Sequence, residues 1–208
     1  MEARKNYDLF GNEIIEKING SNKIFTCISA SNHTKGLRQT EDFYATEPQA
    51  VQELLDIEKF SPTVLEPCVG MGHIAEVLVH NVYKVISQDI IDRDYPDTKI
   101  KDFLTQEENR YDIITNPPYV LAKEFAEHSL DISPDGTKVA MFLKLTFMES
   151  LSRKELFQKY PFKTLYVFSA RRSCAKNGDF EMYPSSAVAY GWYVWEKGFK
   201  GDPVIKWI

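Results

Sequence analysis

The sequence predicts an α/β fold, doubly wound around a mainly parallel seven-stranded sheet that ends in a C-terminal antiparallel hairpin. Three observations carry this. Short apolar runs alternate with segments of helical period from about residue 41 onward, the pattern of a parallel sheet with helices on both faces. Three of the runs end in a polar or acidic residue: Glu66, Asp89 and Asn116. Ligands in such sheets sit outside the carboxyl ends of the strands, so these three residues are expected to share one site. The first run also leads into a loop with Gly70 and Gly72 and then a helix.

Residues 1–40 are polar, carry few periodic apolar positions and read as an extension. Ser29–Gly36 is its best flexible candidate. The domain proper is expected over residues 41–208. Thr46-Glu47-Pro48-Gln49 reads as a helix start, with Thr46 as cap, Pro48 in the first turn and Gln49 closing a capping box. Helices are expected near 49–59, 72–80, 121–131 and 149–159. Strands are expected near 63–66, 84–88, 98–100, 111–115, 138–144, 164–169 and 187–195. The last two form the hairpin, joined by the long and partly basic connection 170–186. Loops of that length are usually functional or disordered. The aromatic run Tyr190–Trp195 reads as sheet packing rather than as a stacking platform.

Glycines after a strand let the backbone turn sharply and let a ligand approach without a Cβ in the way. A lone Gly-x-Gly is weak evidence, but Glu66 at the strand tip makes Glu66–x–x–x–Gly70–x–Gly72 more specific. His73 follows the second glycine and there is no third, which argues against a dinucleotide such as NAD or FAD. Asp89 ends the next strand about 20 residues past the glycines, where a carboxylate can accept ribose hydroxyls. Taken alone, Asp89 is equally compatible with a cap or turn residue.

The most informative feature is Asn116-Pro117-Pro118-Tyr119, directly after the run Tyr111–Thr115. Neither proline has an N–H, so the backbone there is stiff and rich in acceptors. Such a strand end suits an amino group that is held by acceptors and stacked on a ring. A bare Pro-Pro turn with a packed tyrosine is the blander alternative. The glycine loop and Asp89 weigh against it.

Cys27, Cys68 and Cys174 are far apart and form no Cys-x-x-Cys pair, and the four histidines form no zinc motif. A reduced cytoplasmic protein without a metal is therefore expected. No run approaches the ~18 apolar residues of a membrane span. The formal net charge is −5, but the distribution is uneven: residues 138–208 hold 12 lysines and arginines against 6 acids. A polyanion could be gripped there, although a solvated basic face is common.

Together these motifs resemble the class I methyltransferases that use S-adenosylmethionine, in particular phage and bacterial adenine-N6 DNA methyltransferases. The resemblance runs from about Asp42 to the C-terminus. It implies a Rossmann-like methyltransferase fold, S-adenosylmethionine as cofactor, DNA as partner and methylation of adenine N6 on a flipped-out base. It further implies that Asn116, Pro117, Pro118 and Tyr119 are catalytic, with Tyr119 stacked on the base. For the cofactor it implies Asp42, Phe43, Tyr44 and Thr46 at the methionine end, and Glu66, Cys68, Gly70 and Gly72 in the glycine loop. Asp89 and Ile90 would then meet the ribose, and Asp102 and Phe103 the cofactor's adenine. Arg171, Arg172 and Lys176 are expected to contact phosphates. An RNA adenine or a protein glutamine substrate is the alternative, since the same pocket suits both. Against glutamine, residues 1–40 are too short for the helical domain such enzymes usually carry.

Overall fold

The computed structural model describes residues 44–176, 178–182 and 186–208. In chain order the elements are β1 (Tyr44–Thr46), α1 (Pro48–Ile57), β2 (Thr63–Glu66), α2 (His73–His80), β3 (Lys84–Asp89), β4 (Lys99–Ile100), β5 (Asp112–Thr115), α3 (Ala122–Asp131), β6 (Lys138–Lys144), α4 (Leu151–Lys159), β7 (Thr164–Val167), β8 (Cys174–Lys176), β9 (Tyr190–Glu196) and β10 (Val204–Trp207). Eight of the strands make one sheet in the order β10-β7-β9-β6-β5-β2-β3-β4. Its pairs are parallel except where β9 inserts antiparallel between β6 and β7.

The two faces can be read from side-chain alternation. In β6, Val139, Met141 and Leu143 enter one core with α3 and α4 residues, while Ala140 and Phe142 enter the other with α1 and α2 residues. In β9, Tyr193 and Trp195 point to the first core, and Trp192 and Val194 to the second. A strand with period 2 that is buried on both faces shows no polar alternation, which is why these runs are continuously apolar. Trp192 is fully buried, and its indole N–H donates to the Ala50 carbonyl of α1 at 2.8 Å. The aromatic run is therefore packing, as expected.

Three details differ from expectation. The sheet has eight strands, not seven, because Val204–Trp207 adds a parallel edge beside β7; these four residues are all exposed and offered no buried pattern to read. The connection 170–186 is not without structure: β8 pairs antiparallel with β1 as a separate two-stranded sheet. That pairing draws Thr46 into a strand, so the cap of α1 is Glu47 rather than Thr46. The Glu47 side chain makes no cap bond and instead accepts from the Ser173 N–H at 2.7 Å.

β2 lies at the switch point of the sheet. From β2 the chain proceeds through β3 and β4 on one side, then returns to place β5 on the other. The crevice outside the carboxyl ends at such a point is where open α/β sheets bind ligands.

Candidate active site

A cavity opens at that crevice. Tyr44, Thr46, Glu66, Cys68, Asp89, Ile90, Asp102, Phe103, Asn116 and Pro118 all line it. Residues spread over 75 positions of sequence thus meet at the ends of β1, β2, β3 and β5. Asp42 and Phe43 lie outside the described residues.

The glycine loop acts through its backbone. Gly70 and Gly72 have φ of 57° and 86°, a region that favours glycine. The Gly70 N–H donates to Asp89 Oδ2 at 2.8 Å, and the Ile91 N–H to Oδ1 at 3.0 Å. Two donors fix the Asp89 carboxylate at the cavity wall, and its remaining lone pairs are left for a ligand. A Cβ on Gly72 would fall 2.1 Å from the Tyr95 ring. Gly72→Ala is therefore expected to cost about 1–2 kcal/mol of backbone strain and to lower Tm by about 3–6 °C. Thermal unfolding checks this; an unchanged Tm would mean that the loop adapts freely.

Glu66 is 1% exposed, and its Oε2 has no hydrogen-bond partner among the described residues. Burial, and then the nearby Asp89, push its carboxyl well above the usual carboxylate range. An orphaned buried acceptor beside a cavity is the mark of a site that expects a donor. Glu66→Gln should raise Tm at neutral pH. A carboxyl whose folded pKa is raised stabilises fully below its unfolded pKa and loses that contribution as pH rises. The gain over the parent should therefore grow from pH 4 to pH 7 and vanish at the acid end. A uniform offset at all pH values would point to packing instead.

Asp102 caps the short 3₁₀ turn Phe103–Thr105, accepting from the Leu104 N–H at 2.9 Å. Phe103 is 2% exposed and stacks on Phe125 with centroids 5.4 Å apart. It is a core residue whose edge reaches the cavity.

Asn116 follows β5. Its side-chain nitrogen donates to the Tyr44 carbonyl at 2.8 Å and lies 3.6 Å from Cys174 Sγ. A backbone carbonyl only accepts, so the atom facing it must be the NH₂. That leaves Oδ1 as the acceptor of the amide, and among the described residues it accepts no hydrogen bond. Pro117 and Tyr119 do not line the cavity. Tyr119 lies beside it: its hydroxyl is 3.1 Å from Cys174 Sγ, and the Lys144 ammonium stands 4.9 Å from the ring centroid.

The residues expected to contact phosphates divide. Arg171 is exposed, and Lys176 is the last residue of β8. Arg172 is held in a two-pronged pair by Glu53, with Nε to Oε2 at 2.9 Å and a second bond to Oε1. A phosphate would have to compete with that carboxylate, so Arg172 ties the connection to α1.

Several residues in or beside the cavity carried no signal. Cys174 touches Asn116 from 58 positions away, and only the β1–β8 pairing brings it there. His73 and Lys101 also line the cavity. His73 was visible as the residue after the second glycine, but nothing in the spacing gave it a role. Among the described residues no cluster of His, Cys, Asp or Glu could hold a metal ion, and no helix is long and apolar enough to cross a membrane.

No protein-family model and no curated sequence matches this chain. Solved structures do. A modification subunit of a proposed type I restriction enzyme from Vibrio vulnificus superposes with a TM-score of 0.57 at 14% identity, over 89% of this chain and 50% of that one. This chain thus spans about half the length of that subunit. A proposed class I S-adenosylmethionine-dependent methyltransferase from Listeria monocytogenes gives 0.53 at 11% identity, over 76% and 62%. An S-adenosylmethionine-dependent O-methyltransferase from Thermotoga maritima gives 0.52 at 13%, over 84% and 73%. The chain has a Rossmann-like methyltransferase fold. In this methyltransferase fold the cavity at the ends of β2, β3 and β5 lies at the sheet's switch point, with Asn116 on its rim.

Proposed function

We propose that this chain transfers a methyl group from S-adenosylmethionine to the exocyclic N6 amine of adenine in DNA. One observation carries the reading: the Asn116 amide is anchored through its nitrogen, so its free oxygen is presented as an acceptor at the end of β5.

The residues present suit the cofactor. Asp89, fixed by two backbone donors, suits a pair of ribose hydroxyls. The unpartnered Glu66 Oε2 suits a donor or cationic group at the methionine end. Ile90 is 62% exposed at the rim and suits an adenine face. The cofactor, when bound, supplies an electrophilic methyl on a sulfonium, an excellent leaving group.

The chain's own part is positioning and polarisation. An adenine amine is a weak nucleophile because its lone pair is delocalised into the ring. Asn116 Oδ1 and the Pro117 carbonyl would each accept one of its hydrogens and draw the nitrogen toward tetrahedral geometry. Positive charge grows on that nitrogen as the methyl arrives, so fixed acceptor dipoles favour the transition state over the ground state. The remaining requirement is alignment for in-line displacement. A duplex base reaches such a site only when flipped out, at a cost of a few kcal/mol. Contacts to the phosphates from the basic C-terminal part would offset that cost.

The methionine end is tested by Glu66→Gln, which should weaken S-adenosylmethionine at least about tenfold through loss of a charge-assisted acceptor. Calorimetry that shows parental affinity in this variant would remove Glu66 from the cofactor site. The substrate class is tested by methyl transfer to DNA, RNA and protein in parallel.

A further inference from the structure

We propose that Lys144 is the residue that receives the phosphate of the flipped nucleotide, a positioning contact set on the ring of Tyr119. This rests on the reading of the site given above. Lys144 is the last residue of β6, and β6 lies beside β5, the strand that leads into Asn116. Its ammonium stands over the Tyr119 ring at 4.9 Å. Tyr119 reaches Cys174, and Cys174 reaches Asn116. The cation therefore belongs to the same connected cluster as the acceptor that would hold the target amine.

No carboxylate among the described residues pairs with Lys144. A half-buried ammonium normally has an anion or open water to balance it. The described groups around it provide no charge: burial pushes the Cys174 thiol up to about 11 and raises the phenols of Tyr119 and Tyr190, so all three are neutral at pH 7. A ring face attracts a cation but leaves its charge uncancelled. Among the described residues the site thus holds an uncompensated positive charge, on the ring where the base would stack. A nucleotide that enters brings one anion, its phosphodiester, and that anion completes the pair. This also assigns a local grip that Arg172, tied to Glu53, does not offer.

The test uses the full chain and a double-stranded oligonucleotide that contains adenines. Binding is followed across a salt series for the parent, Lys144→Met and Lys144→Arg, and steady-state methyl transfer is measured alongside. Lys144→Met keeps the length and apolar contact but removes the charge. It should raise KM for DNA about tenfold and reduce the salt slope by about one, with a much smaller change in kcat. Lys144→Arg should restore the slope. Unchanged S-adenosylmethionine affinity in both variants shows that they are folded. If Lys144→Met keeps the parental slope and KM, the phosphate role is overturned while DNA methylation stands. If its loss falls on kcat alone, Lys144 acts on the ring and not on the phosphate, and the proposal is equally overturned. A parent that neither binds nor methylates DNA overturns both readings before any variant is compared.

Discussion

Asn116→Ala should lower methyl-transfer turnover by about a hundredfold or more while cofactor affinity stays within a factor of two or three. The asymmetry follows from geometry. The Asn116 nitrogen is committed to the Tyr44 carbonyl at 2.8 Å, so only the oxygen is left for the proposed contact with a substrate. Removing it takes away one of two oriented acceptors in the step where charge develops on the target nitrogen. The lost bond to Tyr44 also loosens β1, at about 1 kcal/mol, which sets the small change allowed in cofactor binding. Asn116→Asp separates these contributions. It keeps an acceptor toward the substrate but faces the Tyr44 carbonyl with a second acceptor, so it should retain little turnover despite its near-identical shape. Single-turnover rates with saturating cofactor measure both variants. Near-parental rates in Asn116→Ala would remove Asn116 from the chemistry.

The second large effect is expected at Asp89. Asp89→Ala should weaken S-adenosylmethionine by about 1.5–3 kcal/mol, roughly ten- to a hundredfold, through loss of a charge-assisted acceptor. The carboxylate also accepts from the Gly70 and Ile91 N–H groups. The alanine variant leaves both donors without that partner and should lose stability as well. Asp89→Asn keeps one acceptor for a backbone donor, so it should recover stability more than affinity. That split, read by calorimetry and thermal unfolding, distinguishes a ligand-binding acid from a purely structural one. A variant that loses stability but binds the cofactor normally would make Asp89 a loop brace only.

Much of this was legible in the chain. The apolar runs gave the buried strands of the central sheet, which write a continuous apolar signature, and the exposed edge Lys99–Ile100 as well, but not the other exposed edge, Val204–Trp207. The site residues at strand ends were legible for the same topological reason: Glu66, Asp89 and Asn116 each stand where an apolar run stops. The β1–β8 pairing was not legible. Three residues on each side carry no periodicity, and the register Tyr44↔Lys176 joins positions 132 apart. That pairing places Cys174 against Asn116, turns Glu47 into the cap of α1, and puts Tyr44 where it can hold the Asn116 nitrogen. The partnership of Arg172 with Glu53 was hidden likewise, since a basic cluster in sequence says nothing of which carboxylate a fold brings to it.

The atom that receives the methyl group decides what this chain does. The direct measurement is transfer of an isotopically labelled methyl from S-adenosylmethionine to unmethylated DNA, to RNA and to total protein, each followed by complete digestion and mass analysis of the products. The expected result is labelled N6-methyladenine from DNA, abolished in Asn116→Ala. Label on glutamine, on RNA alone, or on no acceptor while the cofactor binds normally would contradict it.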